Sequence, residues 1–369
     1  MKLENVKIIN FNKTIENADV EIENNVIKKI TEKEGVGTQI LMPGFIDTHT
    51  HGLMGNDFMD GSEATINIAN DFVKFGVTSI YATIMTREME VMLKSLKDIS
   101  EVKSSGANIL GIHSEGPFLS LEKKGAHNPD ELMDGNESVL MKMYNASNGM
   151  LKKITFSPET CDDSFIDKLT ELGIMPSVGH SNATFTRTVE AIERGALHST
   201  HLWNAMSGIE NRKPGMAEAI IHDDRVYAEL ITDLVHVDKD TIMFTIKAKG
   251  TDKIMLVTDS IRPAGFPDGE SESGGIKIIK KGPKIVLKGT DTIAGSGATL
   301  IDCIKNLYEL DIELEDIVKM SSYNAAKTLN LVGKGMIQEG MDADLVLMNN
   351  NLDINQVIIG GDVKYKKEE

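Results

Sequence analysis

Histidines and carboxylates in this chain of 369 residues follow a pattern that suits metal-assisted hydrolysis. His49 and His51 form a His-Thr-His sequence directly after the apolar segment LMPGFID. In extended backbone, residues two positions apart point the same way, so both imidazoles can face one metal ion. Two structural histidines are the alternative interpretation of such a pair. The pair of histidines predicts a metal site only if further ligands lie close to it.

Four further candidates stand at the ends of later strand-like runs. They are Glu115 in GIHSEGPF, His180 in SVGH, His201 in STHLWNAM and Asp259 in LVTDS. Parallel strands of an α/β barrel bring their C-terminal ends to one face, where the active site lies. We therefore predict that these groups converge at one barrel mouth. A donor set of imidazole and carboxylate without thiolate suits Zn²⁺, Fe²⁺, Mn²⁺ or Co²⁺ and does not choose among them. We expect one or two divalent ions per chain, with Zn²⁺ as the first expectation.

The predicted chemistry is hydrolysis of an amide. A bound divalent ion lowers the pKa of water from about 15.7 to about 7 and polarises a carbonyl group. A carboxylate beside that water could accept its proton and pass it to a leaving amine, and Asp259 is the candidate for this role. The alternative is that Asp259 or Ser260 caps a helix after the strand.

The elements that must position these residues alternate from Leu41 onward between apolar, β-branched runs and longer helical stretches. Ser62, Thr184 and Asp238 are candidate helix N-caps, and Gly76 and Gly195 are candidate helix ends. The strand candidates are Leu41–Asp47, Val77–Met85, Ile109–Glu115, Ile154–Glu159, Ile174–His180, Ala196–Trp203, Val226–His236 and Lys253–Ser260. Eight strand–helix units predict an α/β fold of the (β/α)₈ TIM-barrel type.

Both ends of the chain carry short alternating runs and turns, which predict a small β-domain built from residues 1–42 and 336–369. The catalytic barrel then spans residues 43–335. A segment rich in Gly, Ser and Lys near 266–290 interrupts it, with alternating runs at Ile276–Ile279 and Ile285–Leu287. We predict that this segment is an inserted β-hairpin.

The composition excludes several classes of function. The net charge of −17, from 39 basic and 56 acidic residues, disfavours nonspecific binding to nucleic acid or anionic membranes. Two cysteines, Cys161 and Cys303, cannot build a disulfide framework. The first residues contain no apolar stretch of the signal-peptide type, and no window resembles a membrane span. These features predict a cytoplasmic protein that acts on a small molecule.

Several segments closely resemble the N-acetylglucosamine-6-phosphate deacetylases of the amidohydrolase superfamily. The His-x-His after PGFID is common to the wider superfamily, whereas SEGPF, KGAHNP and HLWNAM are more specific to the deacetylases. The matching segments are PGFIDTHTHG (43–52), GIHSEGPFL (111–119), KKGAHNP (123–129), SVGHSNA (177–183), THLWNAMSG (200–208), RKPG (212–215), DLVHVD (233–238), VTDSIRPAG (257–265) and IAGSGATL (293–300).

The resemblance implies a (β/α)₈ barrel with a small β-sandwich from both chain ends, and removal of the acetyl group from N-acetyl-D-glucosamine 6-phosphate. It implies that Glu115, His180 and His201 bind the principal metal, that His49 and His51 can bind a second one, and that Asp259 is the general base and then acid. The implied substrate-binding residues are Ala126, His127, Asn204, Ala205, Arg212, His236 and Ile293. Among them, His127 contacts the sugar or polarises the carbonyl, Ala205 acts through its backbone, and Arg212 and His236 contact the phosphate.

In this family the arginine can come from a partner subunit, which implies a homodimer. For Arg212 the alternative is a solvated surface charge, and for His236 it is a structural histidine. Alternative activities are an N-acetylgalactosamine-6-phosphate deacetylase or another amidohydrolase, such as a dihydroorotase-like cyclic amidase. The latter typically has a carbamylated lysine after the fourth strand, where this chain offers Glu159 or a neighbour. A catalytically silent homologue with a structural role is the remote alternative.

Overall fold

Short apolar runs bounded by glycine, proline and polar turns form the strands, because β-branched side chains suit an extended, half-buried backbone. The structure is a computed structural model that describes residues 1–368. Its strands are β1 (Lys2–Ile9), β2 (Thr14–Glu23), β3 (Val26–Glu32), β4 (Gln39–Pro43), β5 (Phe45–Thr50), β6 (Gly52–Leu53), β7 (Asn56–Asp57), β8 (Val77–Met85), β9 (Asn108–Glu115), β10 (Leu151–Phe156), β11 (Met175–Val178), β12 (His198–Ser199), β13 (Tyr227–Leu230), β14 (Ile254–Leu256), β15 (Gly269–Ser273), β16 (Ile276–Lys281), β17 (Lys284–Leu287), β18 (Ile293–Ser296), β19 (Leu345–Met348), β20 (Ile354–Ile359) and β21 (Asp362–Lys366).

The helices lie mainly between the strands of the central sheet, each with an apolar face toward it. They are α1 (Ser62–Phe72), α2 (Met89–Ser100), α3 (Glu137–Ala146), α4 (Asp163–Glu171), α5 (Phe185–Glu193), α6 (Met216–His222), α7 (Lys239–Lys249), α8 (Leu300–Glu309), α9 (Leu314–Val318) and α10 (Asn324–Thr328), with one π-helical turn at Lys319–Tyr323. Within residues 1–368, no helix combines the length and the apolar character needed to cross a membrane.

The central sheet consists of eight strands among the described residues, in the order β14-β13-β12-β11-β10-β9-β8-β5. All neighbouring pairs are parallel. A parallel bridge between Thr50 and Ser260 brings the first barrel strand beside the segment that follows the last, so the sheet closes on itself. The predicted (β/α)₈ TIM barrel is confirmed. Its strands are buried on both faces, which explains their continuous apolar character.

The predicted strand order is correct, but several boundaries are not. The run Val77–Met85 is confirmed at both ends. Leu41 and Met42 belong to β4 of the terminal sheet, not to the first barrel strand. The sixth and seventh strands, His198–Ser199 and Tyr227–Leu230, are much shorter than their apolar runs. The remaining residues of the predicted runs Ala196–Trp203 and Val226–His236 are not extended. Those that follow the strands form the turns at the barrel mouth.

Helix ends follow local chemistry in most of the predicted places. Thr184 and Asp238 are N-caps whose side chains accept hydrogen bonds from the backbone N–H groups of Arg187 and Asp240. The prediction for Ser62 is wrong by one position, since Ser62 is the first residue of α1. Gly76 ends the turn before β8 in the left-handed region, with φ of 80°. A Cβ atom there would lie 2.5 Å from the Phe45 ring. Glycine is therefore required both by the positive φ and by this close approach.

Both chain ends build one sheet of seven strands within the described residues, in the order β21-β20-β19-β4-β1-β2-β3. This confirms the predicted small β-domain from both termini. Its side chains pack into a core separate from that of the barrel, which includes Val6, Val20, Leu41 and Leu345.

The insertion after the last barrel strand is larger than the predicted hairpin. Four antiparallel strands, β15 to β18, replace the expected two. The outer pair was missed because Gly269–Ser273 and Ile293–Ser296 contain glycine and serine, which have low β-propensity. The insertion encloses a small apolar core of Ile261, Ile278, Ile285 and Ala294.

Candidate active site

The predicted acid and imidazole groups meet at the C-terminal ends of the barrel strands, and all are buried. His49 and His51 lie in and just after β5, and Glu115 ends β9. The others follow their strands by two or three residues: His180 after β11, His201 after β12 and Asp259 after β14. The structure thus brings together residues that are up to 210 positions apart in the chain, counting from His49 to Asp259.

The Glu115 carboxylate lies at the centre of this cluster. Its Oε1 atom is 3.1 Å from His180 Nε2 and 3.0 Å from His201 Nε2. Its Oε2 atom is 3.2 Å from His51 Nε2. Glu115 therefore stands between two sets of imidazoles, which is the position that a bridging carboxylate requires.

A second group forms around Asp259. Its Oδ1 atom lies 3.2 Å from His51 Nε2 and 3.4 Å from His49 Nε2. The two imidazole nitrogens are 3.3 Å apart. Asp259 begins no helix, so the alternative role as an N-cap does not apply.

The donor set fits a divalent metal ion. Imidazole Nε2 atoms face each other at 3.0 Å between His180 and His201, a distance at which two lone pairs repel unless a proton or cation lies between them. His180 Nδ1 donates to the backbone carbonyl of Lys123 at 2.8 Å, and His49 Nδ1 donates to Glu229 at 3.0 Å. With the proton on Nδ1, the Nε2 atoms of His180 and His49 are unprotonated, as metal ligation requires.

Backbone strain is concentrated at this site. His180, His201 and Asp259 have φ values of 46°, 29° and 49°, and nearby Trp203 and Ala205 have 84° and 50°. Non-glycine residues rarely adopt positive φ, and such strain persists where the surrounding structure enforces it. The turn redirects each side chain from the strand into the barrel mouth.

The charges of the cluster support a proton acceptor at Asp259. Burial by itself raises the pKa of Asp259, but the adjacent His49 and His51 outweigh burial and lower it below its usual range. The pKa of Glu115 is lowered in the same way, against burial, by His49 and by its hydrogen bonds to His127, His180 and His201. Both carboxylates are therefore ionised at neutral pH, although little solvent reaches them.

A cavity of about 330 Å³ opens beside the cluster, within the range typical of small-molecule sites. It is lined by six residues that were predicted to bind substrate: Ala126, His127, Asn204, Ala205, His236 and Ile293. Its opposite wall is apolar and comes largely from the inserted sheet, through Ile276, Ile278 and Leu287. One wall can thus meet the polar groups of a small molecule while the other covers its apolar face.

His127 lies against the carboxylate cluster, with Nε2 3.4 Å from Glu115 Oε2. Burial lowers its pKa despite that carboxylate, so the ring is neutral at pH 7. Its Nδ1 atom is buried and has no hydrogen-bond partner among residues 1–368. A neutral imidazole has a single N–H, which is either on Nε2 and bonds to Glu115, or on Nδ1. With the proton on Nδ1, the ring could donate to a carbonyl oxygen, and Nε2 could serve as a ligand beside Glu115 and His180.

His236 has a charged environment. Its Nδ1 atom lies 2.8 Å from Asp233 Oδ2. Burial opposes protonation of the ring, but the bond to Asp233 and the charge of Asp259 outweigh it and raise the pKa of His236 above its ordinary value. Protonation of this histidine, which places positive charge at the cavity, is therefore favoured by its surroundings in an otherwise acidic protein.

Within the described part of the chain, two predicted site residues, His49 and Arg212, do not line the cavity. His49 belongs to the imidazole cluster through His51 and Asp259, whereas Arg212 lies on an exposed loop, between Ile209 and Pro214. Glu159, considered above as an alternative to a lysine after the fourth strand, is bonded to Ser181 instead of facing the cluster.

Sequence reasoning missed two charged residues in the barrel core. Glu229 and Lys153 lie on β13 and β10, and their side chains are 0% and 1% exposed. For Glu229 the available signal was a charge within the apolar run YAEL, since such groups are rarely buried without a partner. Lys153 follows the exposed Lys152 in β10 and had no such signal. The backbone carbonyl of Lys123, which accepts from His180, had no signal in the sequence.

The comparisons with known proteins agree with this geometry. The model of the Amidohydrolase family matches residues 40–364. The N-acetylglucosamine-6-phosphate deacetylase of Lysinibacillus sphaericus is 34% identical, with 99% of this chain and 97% of that protein covered. The N-acetylgalactosamine-6-phosphate deacetylase of Shewanella sp. (strain ANA-3) is 31% identical, covering 89% and 84%.

Solved structures give the same result at the level of the whole fold. The crystal structure of N-acetylglucosamine-6-phosphate deacetylase from Thermotoga maritima superposes with a TM-score of 0.91 at 32% identity, over 100% of both chains. A mutant of the Mycobacterium smegmatis enzyme, in complex with N-acetyl-D-glucosamine-6-phosphate, superposes with a TM-score of 0.93 at 28% identity, over 99% of both chains.

Proposed function

This chain belongs to the amidohydrolase family and to its N-acetylglucosamine-6-phosphate deacetylases, and we propose that it hydrolyses the acetamido group of N-acetyl-D-glucosamine 6-phosphate. The products are D-glucosamine 6-phosphate and acetate, as in the breakdown or recycling of amino sugars. The observation that carries the proposal is the ionised Asp259 beside converging imidazoles at the floor of a sugar-sized cavity.

The reaction needs a proton acceptor, a proton donor and stabilisation of an oxyanion. Asp259 accepts a proton from the attacking water and then delivers it to the amine as the C–N bond breaks. In the tautomer with its proton on Nδ1, the neutral His127 donates a hydrogen bond to the carbonyl oxygen and stabilises the tetrahedral oxyanion. When bound, a divalent metal supplies Lewis acidity and a lower pKa for water. Burial of the cluster excludes bulk water and strengthens each of these interactions.

Glu115, His180 and His201 are the residues that we assign to the principal metal, with His49 and His51 available for a second. Zn²⁺ is our first choice of ion, supported by imidazole and carboxylate donors without thiolate. The position of Glu115 between the two histidine pairs supports a bridging role for it.

The sugar is proposed to lie between the polar wall of His127, Asn204 and Ala205 and the backbone near Ile293. His236 contacts its phosphate. A cytoplasmic location is also part of the proposal, and it is supported by Cys161 and Cys303, which are both buried free thiols.

A direct assay tests this function. The purified protein, loaded with Zn²⁺, is incubated with the 6-phosphates of N-acetylglucosamine and N-acetylgalactosamine, and acetate release is measured. We expect faster release from the gluco substrate. Preference for the galacto epimer would support the second candidate, which the Shewanella relative favours. Release from neither sugar phosphate would overturn both.

The charge of His236 predicts a pH-dependent KM. Because the pKa of His236 is raised, its charge is complete at low pH and is lost as pH rises through that raised value. We expect KM for the phosphorylated sugar to rise over this range. Asp233→Asn should lower the pKa of His236 and raise KM at neutral pH by about tenfold or more, the usual loss of one charged hydrogen bond.

N-Acetylglucosamine without phosphate is the control for that prediction. Its KM should not follow the titration of His236, since it carries no anionic group. A KM profile for the phosphorylated sugar that is unchanged in Asp233→Asn would contradict a role for His236 in phosphate binding.

Arg212 is proposed to reach the site of a second copy in a homodimer, which is supported by its exposure and by its absence from the lining of its own chain's cavity. We expect Arg212→Ala to raise KM by about 10–100-fold, since a guanidinium–phosphate contact is charge-assisted. The neighbouring exposed cation provides the control, and Lys213→Ala should change KM little.

Mixed dimers distinguish a contribution in trans from one in cis. If the Arg212→Ala and Asp259→Asn chains are refolded together, one site of each mixed dimer holds both Asp259 and the partner's intact arginine. At substrate concentrations well below the KM of the Arg212→Ala parent, we expect more activity than either parent shows. No recovery in verified mixed dimers would show that Arg212 acts in its own chain or not at all.

A further inference from the structure

A buried ion pair crosses the interior of the barrel below the imidazole cluster. Lys153 on β10 and Glu229 on β13 belong to the fourth and seventh barrel strands. Their side chains contact each other directly and are 1% and 0% exposed. Neither residue touches the cavity, so neither has a role in the chemistry proposed above.

Stability alone does not explain the pair. Removing two charges from water costs several kcal/mol per ion, and replacing a buried ion pair by apolar side chains is often neutral or stabilising. His113, Thr155 and Thr200, which are also buried in the barrel, bond to one another instead of to this pair. The other contacts of Glu229 indicate why the pair is present.

Glu229 uses both carboxylate oxygens toward the segments that carry the histidines. Its Oε2 atom accepts from His49 Nδ1 at 3.0 Å and from the backbone N–H of His201 at 3.3 Å. Its Oε1 atom accepts from the Thr48 hydroxyl at 3.3 Å and from the Lys153 ammonium. One carboxylate thus holds two strand ends, and Lys153 balances its charge.

The bond to His49 has a chemical consequence. A carboxylate only accepts hydrogen bonds, so the proton of His49 must be on Nδ1, and the lone pair of Nε2 then faces His51 and Asp259. Such outer partners orient a ligating imidazole, and their loss commonly weakens metal binding by about 10–100-fold.

We propose that Glu229, with its charge balanced by Lys153, is a positioning residue that fixes the tautomer and direction of His49 for divalent metal binding. The proposal rests on the proposed function only in treating the imidazole cluster as a metal site. Through the His201 N–H, the same carboxylate also holds the strained turn that directs His201 toward Glu115.

Two matched double variants test this role. Lys153→Met with Glu229→Gln removes both charges but keeps an oxygen that can accept from His49. Lys153→Met with Glu229→Leu removes both charges and the acceptor. We expect the Leu variant to bind Zn²⁺ about 10–100-fold more weakly than wild type, in competition with a chromophoric chelator, and the Gln variant to recover most of the loss. Equal Zn²⁺ affinity of the two folded variants would overturn the proposal.

The tautomer itself is a second measurement that needs no variant of the pair. Long-range ¹H–¹⁵N spectra of the metal-free, histidine-labelled protein report which ring nitrogen carries the proton, and His49→Gln identifies the signal. We expect a protonated Nδ1 on His49. An unprotonated Nδ1 would overturn the proposal even if the Leu variant fails to fold.

These measurements separate this inference from the proposed function, because neither uses substrate. If the wild-type protein binds Zn²⁺ but releases no acetate from any sugar phosphate, the proposed function is wrong. The positioning role of Glu229 is then decided by the Zn²⁺ affinities of the double variants and by the tautomer of His49. If wild type binds no Zn²⁺, the role in metal binding is overturned as well.

Discussion

We expect Asp259→Asn to lower kcat for deacetylation by about 10²–10⁴-fold, the usual contribution of a positioned acid–base group. The amide of Asn keeps the shape of the side chain but cannot accept the proton of the attacking water. Because Asp259 lies 3.2 Å from His51 Nε2 and 3.4 Å from His49 Nε2, it is well placed to receive that proton. Steady-state kinetics on N-acetyl-D-glucosamine 6-phosphate, with metal content measured on the same sample, check the result.

Asp362→Asn is the matched control, since that carboxylate is 77% exposed on the last strand and pairs only with Lys364 among the described residues. It should retain wild-type turnover. If Asp259→Asn keeps its metal and its kcat remains within about tenfold of wild type, Asp259 is not the acid–base group.

The second large effect is expected for Glu115→Gln. This change replaces one carboxylate oxygen by an N–H donor in the midst of the imidazole nitrogens of His51, His180 and His201. We expect Zn²⁺ affinity to fall by more than the roughly 100-fold typical of losing an outer partner, since a direct ligand is removed. Activity at limiting Zn²⁺ should fall in parallel, as measured by metal analysis and acetate release.

His198→Gln provides the comparison for Glu115→Gln. His198 is also a buried residue of a barrel strand, but its Nε2 atom bonds to the Thr328 hydroxyl at 2.9 Å. Burial lowers the pKa of His198 to about 3, so a neutral glutamine removes no charge. This variant should keep its metal. If Glu115→Gln also keeps a full complement of Zn²⁺ at the same affinity, Glu115 is not a ligand.

Much of the fold could be predicted because hydrophobic patterning is local. The run Val77–Met85 is a strand because its residues are apolar or small and β-compatible, and the first eight of them are buried on both faces. The caps at Thr184 and Asp238 depend on bonds to residues two or three positions away. The inserted sheet was underestimated because strands such as Gly269–Ser273 exist only through pairing with a neighbour.

Less of the site could be predicted, because its geometry depends on contacts between distant segments. Types and spacing of residues indicated that His180, His201 and Asp259 meet, since the barrel topology requires it. Nothing in the sequence indicated that all three would have positive φ. That conformation comes from the packing around each strand end, and it decides where the side chains point.

The residue types, the order of the barrel strands and the resemblance to the deacetylases were determined by the sequence alone, because each is carried by short segments. The tertiary structure decided three further features: the central position of Glu115, the Nδ1 bond of His49 to Glu229, and the location of Arg212 away from its own cavity. The first two depend on distances of about 3 Å, the length of a hydrogen bond, between folded segments, and the third depends on which loop the folded chain leaves exposed. Neither kind of feature is set until the barrel is complete.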